Sequence, residues 1–150
     1  MNWQKLYNPF VIALLRSPLH SLFDKQTMLI TITGRKSGKR YSFPVSYVRD
    51  GENLLVISQK DRTWWKNLRG GAQVIVSLQG HALKARGETF TDTEMAAKIL
   101  LQILQSAPTY QRLLHVTLDA KGQPEHPEDI THLAQEHVVV RMRELSEIAA

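Results

Sequence analysis

Residues 28–48 read Met28-Leu29-Ile30-Thr31-Ile32-Thr33-Gly34-Arg35-Lys36-Ser37-Gly38-Lys39-Arg40-Tyr41-Ser42-Phe43-Pro44-Val45-Ser46-Tyr47-Val48. The opening apolar and β-branched run predicts a buried strand over 28–33. After the basic cluster the pattern alternates, with Phe43, Val45 and Tyr47 on one face, which predicts a second strand over 40–48. The intervening residues 34–40 therefore form a hairpin turn, holding four cations, two glycines and a serine in seven positions. Amides near glycines, a hydroxyl and several cations together favour a phosphate or carboxylate. A merely solvated basic hairpin is the plain alternative. A nucleotide-hydrolysing P-loop does not fit. Three residues separate Gly34 from Gly38, Arg40 replaces the hydroxyl that would bind magnesium, and a strand follows where a helix is needed.

Strand signals continue outward from this hairpin. Asp50-Gly51 turns the chain into a strand over 54–58. A short helical turn over 64–68 ends at Arg69-Gly70-Gly71, and strands over 73–78 and 81–90 flank the turn Gln79-Gly80. Thr91-Asp92-Thr93-Glu94 reads as a capping box for a helix over 92–106. A second short helix is expected over 109–115, then a polar loop over 119–128 and a last strand over 137–144 centred on Val138, Val139 and Val140. The expectation is a mainly β, α+β domain over residues 1–150, an antiparallel meander of six strands closing into a small barrel. Upstream, Asn8-Pro9 and Ser17-Pro18 announce short helices over 9–16 and 18–24. This apolar segment either packs on the barrel or makes a peripheral membrane contact through residues 3–23.

Composition narrows the partners. With 19 Lys+Arg against 14 Asp+Glu the net charge is +5, which favours anionic ligands. The absence of cysteine excludes disulfides, thiolate metal sites and thiol nucleophiles. The six histidines show no metal-ligand spacing, and no serine-hydrolase elbow occurs. Nucleic acid is disfavoured because aromatics do not alternate with cations along a strand face. A cytoplasmic protein, monomeric or homodimeric, is the default expectation.

The second constellation is Ser58-Gln59-Lys60-Asp61-Arg62-Thr63-Trp64-Trp65-Lys66-Asn67. Adjacent residues of a helical turn point about 100° apart, so one indole turns inward and the other reaches a surface or cleft. Packing of both rings in the core or at its rim is the plainer alternative. Placed beside the basic hairpin, an aromatic shelf suits a flat ring system carrying a phosphate.

Together the strand, Thr33-Gly34-Arg35-Lys36-Ser37-Gly38, Pro44, the Asp50-Gly51 hairpin, Lys60 and the stretch Trp64-Trp65-Lys66-Asn67-Leu68 resemble the deazaflavin-dependent nitroreductase and quinone reductase family. The resemblance covers about residues 8–90 and implies a split β-barrel related to the FMN-binding split barrels. It implies coenzyme F420 as cofactor, with FMN as the alternative, and hydride transfer to a quinone-like or nitroaromatic acceptor. A non-catalytic cofactor- or lipid-binding barrel is the remaining reading. By the same resemblance Arg35, Lys36, Ser37 and Gly38 hold the cofactor phosphate, extended by Lys39 and Arg40. Ile57, Ser58, Gln59 and Lys60 lie beside the cofactor, and Trp64 and Asn67 wall the groove. Tyr110 is the candidate hydrogen-bond donor to the acceptor.

Overall fold

A computed structural model describes residues 27–78 and 80–148. The expected helices over 9–16 and 18–24, and the membrane contact assigned to 3–23, lie outside the described residues. Seven strands form one antiparallel sheet: β1 (Thr27–Thr33), β2 (Arg40–Ser46), β3 (Val48–Asp50), β4 (Asn53–Gln59), β5 (Ala72–Leu78), β6 (His81–Phe90) and β7 (His137–Glu147). A 3₁₀ turn spans Trp64–Leu68, and three helices follow β6: α1 (Thr93–Ser106), α2 (Pro108–Leu113) and α3 (Pro127–Glu136).

The sheet order is β2-β1-β5-β6-β7-β4-β3. Its two end strands are thus consecutive in the chain, separated by Tyr47 alone. The expected strand over 40–48 is divided there, giving seven strands rather than six. On one side of the joint, Arg40–Ser46 pair with β1; on the other, Val48–Asp50 pair with β4. One bent segment therefore bridges both ends of the sheet and curls it into a split barrel. The expected meander is also interrupted, because β4 pairs with β3 and β7 instead of β5.

The barrel interior is filled by Met28, Ile30 and Ile32 of β1, Leu54 and Val56 of β4, Val74 and Val76 of β5, and Val140 and Met142 of β7. Tyr47, Trp65 and Leu68 close the same core. A second core lies on the outer face, where Leu55 and Val139 meet Leu100, Ile103 and Leu104 of α1 and Ile130, Leu133 and Ala134 of α3. Burial on both faces explains why Val138-Val139-Val140 is a continuous apolar run instead of an alternating one.

Helix boundaries differ from the sequence expectation in three places. The N-cap of α1 is Asp92, whose carboxylate accepts the Met95 amide at 3.0 Å. A reciprocal box built on Thr91 is not required once Asp92 occupies that position. α2 begins at Pro108 and stops at Leu113, just before His115 enters a positive φ of 57°. α3 fills the stretch between the polar loop expected over 119–128 and the last strand, to which no element was assigned, and takes the last two residues of that loop.

Candidate functional site

The 34–40 hairpin is closed by its own backbone. The Gly34 amide donates to the Lys39 carbonyl at 2.8 Å, and the Gly38 amide to the Gly34 carbonyl at 2.8 Å. Gly38 takes a φ of +71°, a conformation in which glycine meets no steric penalty. Gly34 is required for a different reason. A Cβ there would sit 2.8 Å from the Ser37 hydroxyl and 3.2 Å from the Tyr41 ring. The Ser37 hydroxyl in turn accepts the Lys39 amide at 3.1 Å. Among the described residues the Lys36 and Ser37 amides donate to nothing. The tip of the turn thus carries two N–H groups that bond to no described residue, on the same exposed tip as the Lys36 side chain.

Asn67 buckles this hairpin to the 3₁₀ turn. Its side-chain oxygen accepts the Arg35 amide at 3.0 Å, and its nitrogen donates to the Trp64 carbonyl at 3.1 Å. The Arg35 guanidinium donates to the Arg69 carbonyl, adding a second crossing between the two segments. Arg35 and Asn67 therefore act on the site by fixing its walls. The two tryptophans divide as the local geometry requires. Trp65 is buried with 3% exposure beneath the Arg69 guanidinium, 5.0 Å from its ring. Trp64 faces the groove, its indole N–H donating to the Ser58 hydroxyl at 3.1 Å. Phe43 meets it edge-on, with centroids 5.3 Å apart and planes at 67°.

This Phe43–Trp64 pair lines two adjoining lobes. The hairpin lobe, about 960 Å³, is formed by Gly34, Arg35, Lys36, Ser37, Tyr41, Thr63, Lys66, Asn67 and Arg69 with Ile32. The seam lobe, about 470 Å³, lies between β2 and β4, where Phe43–Ser46 face Val56–Gln59. Arg62, Tyr110 and Leu113 complete it. Both volumes fall in the usual range of small-molecule sites. β3 pairs only with Asn53–Leu55, so beyond it one edge of Val56–Gln59 is left unpaired by any described strand. Its backbone groups border the seam lobe. Burial raises the Tyr110 hydroxyl above the ordinary value of 10.0, so it remains a protonated donor at neutral pH.

The structure brings together Arg35, Lys36, Ser37, Trp64 and Asn67 around the hairpin lobe, and Ile57, Ser58, Gln59, Trp64 and Tyr110 around the seam lobe. Gly38, Lys39 and Arg40 sit on the exposed side of the turn, outside both linings. Lys60 is also outside them, its amide held by the Glu136 carbonyl at 2.9 Å. Among the described residues the cation that lines the seam lobe is Arg62, exposed and two residues further on. Sequence reading gave no site role to Arg62, Phe43 or Leu113. The alternation of β2 placed Phe43 with the core-facing residues, and nothing in its spacing separated a core face from a groove wall.

Comparison with solved structures places this fold among known ones. The flavocytochrome Anf3 from Azotobacter vinelandii matches over 100% of this chain and 75% of its own, with 11% identity and a TM-score of 0.51. A structure described as a domain-swapped dimer matches over 80% of this chain and 81% of its own, with 17% identity and a TM-score of 0.51. An F420-H2 dependent reductase, FDR-A, is matched at 18% identity over 79% of this chain and 95% of its own, with a TM-score of 0.49. The family model described as F420H(2)-dependent quinone reductase matches residues 17–118, which include the basic hairpin, both lobes' strands and Tyr110. The chain belongs to the F420H(2)-dependent quinone reductase family.

Proposed function

We propose that this F420-dependent oxidoreductase holds the cofactor phosphate at the tip of the 34–40 hairpin and reduces a quinone-like acceptor in the seam lobe. One observation carries the assignment: Lys36 and Ser37, whose amides bond to no described residue, line a cationic lobe that adjoins an aromatic one of mixed polarity at Trp64. Two amides, a hydroxyl and the Lys36 ammonium fit a phosphate, and the residues present therefore suit the group that the family name implies. F420 in its reduced form supplies a hydride when bound.

The chain's own residues position and polarise. Lys36 and Ser37 bind the anion, while Arg35 and Asn67 keep the hairpin at a fixed distance from the 3₁₀ turn. Lys39 and Arg40 add positive field from outside the groove, where solvent screens them. Trp64, fixed by Ser58, presents a flat wall at the junction of the lobes. The unpaired edge of Ile57–Gln59 offers backbone donors and acceptors to a polar ring edge. Tyr110 donates its proton as a hydrogen bond to an acceptor oxygen on which negative charge develops.

The test is titration of the purified protein with F420, FMN and FAD, followed by cofactor fluorescence and by turnover of a model quinone. Tight F420 binding with quinone reduction is the expected result. Tight FMN binding without any response to F420 would reverse the cofactor assignment. Binding without turnover would make the barrel a carrier. A nitroaromatic acceptor in the same assay reports whether the seam lobe admits that second substrate class.

A further inference from the structure

We infer that Arg62 sets the acceptor specificity of the seam lobe, selecting aromatic acceptors that carry an anionic substituent such as a carboxylate or sulfonate. The inference rests on the proposed function and narrows its substrate class.

The lobe is otherwise apolar or neutral. Phe43, Val45, Ile57 and Leu113 offer hydrocarbon, and Ser58, Gln59 and Tyr110 offer uncharged hydrogen-bonding groups. Arg62 supplies formal charge to this lining. Among the described residues no Asp or Glu lines either lobe. Its neighbour Asp61 is exposed and stands outside both linings. Among the described residues Arg62 also takes part in no ion pair, whereas Arg141 and Arg143 share the Glu88 carboxylate. The Arg62 amide donates to the Gln59 carbonyl at 3.1 Å, so the side chain springs from a closed turn at the end of β4.

The position of this cation separates it from the phosphate site. Arg35, Lys36 and Lys66 border the hairpin lobe, beyond the Phe43–Trp64 pair, and none lines the seam lobe. The groove thus has two cationic regions with an aromatic partition between them. The first matches the anion of the cofactor. A neutral quinone leaves the second facing only water, whereas a carboxylate or sulfonate receives a planar fork of donors from it. The redox step is unchanged by this contact. A hydride from the reduced cofactor and one proton convert the quinone to a hydroquinone, and the anionic substituent keeps its charge and its bonds.

The experiment compares 1,4-naphthoquinone-2-sulfonate with unsubstituted 1,4-naphthoquinone as acceptors for the F420-loaded protein. The quantity read is the ratio of their kcat/KM values in wild type, Arg62→Gln, Arg62→Lys and Lys66→Gln. The difference in potential between the acceptors, and any general damage to a variant, cancel when ratios are compared. Arg62→Gln is expected to lower the ratio about tenfold, mainly through KM of the sulfonate, with Arg62→Lys retaining part of it. Lys66→Gln is expected to leave the ratio within about twofold, since it borders the other lobe. A ratio unchanged by Arg62→Gln, or lowered equally by Lys66→Gln, overturns the assignment. A loss of F420 affinity in Arg62→Gln does so too, because it would place Arg62 on the cofactor. If wild type binds no F420 or reduces neither quinone, the functional reading fails, which is a different result from an unaltered ratio.

Discussion

Asn67 uses both ends of its side-chain amide, and the two bonds join the basic hairpin to the tryptophan turn. Replacing it with alanine removes both and leaves the Arg35 amide without its partner. Asn67→Ala is expected to cost about 1–3 kcal/mol of stability and to weaken F420 binding with it, measured by thermal denaturation and fluorescence titration. Lys36 is different, being exposed and bound to nothing among the described residues. Lys36→Ala is expected to leave the melting temperature unchanged and to weaken F420 binding about tenfold, the cost of one charge-assisted contact. Tyr110 yields a pH prediction. Its folded pKa lies above the unfolded value of 10.0, so its neutral form is the one the fold favours. Stability linked to it is fully present below pH 10.0 and falls as the pH rises through the folded pKa. Activity dependent on its proton is expected to stay level through neutral pH, and Tyr110→Phe to blunt the alkaline loss of stability. At this scale the sequence was readable where chemistry and local geometry coincide. The basic hairpin and the division of labour between Trp64 and Trp65 were both legible. That Arg62 lines the seam lobe while Lys60 does not was not legible. It depends on how the turn after β4 is tied to the Glu136 carbonyl, 76 residues away in the chain.

Among the elements, strands were more legible than helices. The strand pattern over 28–90 is local, and each hairpin carries its own turn residues. α3 carried signals as well: Pro127 at its first position, Glu128 and Asp129 in the first turn, and Ile130, Leu133 and Ala134 at helical spacing. The charged and Pro-rich stretch before it looked like a loop, and its apolar face finds its use against α1 and the outer face of the sheet. The division of the strand at Tyr47 was equally hidden, because alternation continues through a residue at which the pairing partner changes. The cap of α1 is testable. Asp92→Ala is expected to cost about 1 kcal/mol and to lower the melting temperature by about 3 °C, with F420 affinity unchanged because Asp92 lines neither lobe.

For the molecule as a whole, the charge of +5 and the acid-free lining of both lobes bias the groove toward anions. Raising the ionic strength from about 0.05 to 0.5 M is expected to weaken F420 binding about fivefold, as screening shortens the reach of exposed cations. An affinity insensitive to salt would point instead to contacts made by the backbone amides alone. The joint at Tyr47 has a larger consequence. Because β2 and β4 approach each other through this joint rather than through a hydrogen-bonded ladder, the width of the seam is not set by strand spacing. The hairpin proposed to hold the anion is anchored elsewhere, through Asn67 and Arg69. The two halves of the groove are therefore fixed by different contacts, meeting only at Phe43 and Trp64. On the proposed reading, variation along the seam retunes which acceptor a descendant protein admits, while the hairpin's hold on the cofactor is inherited intact.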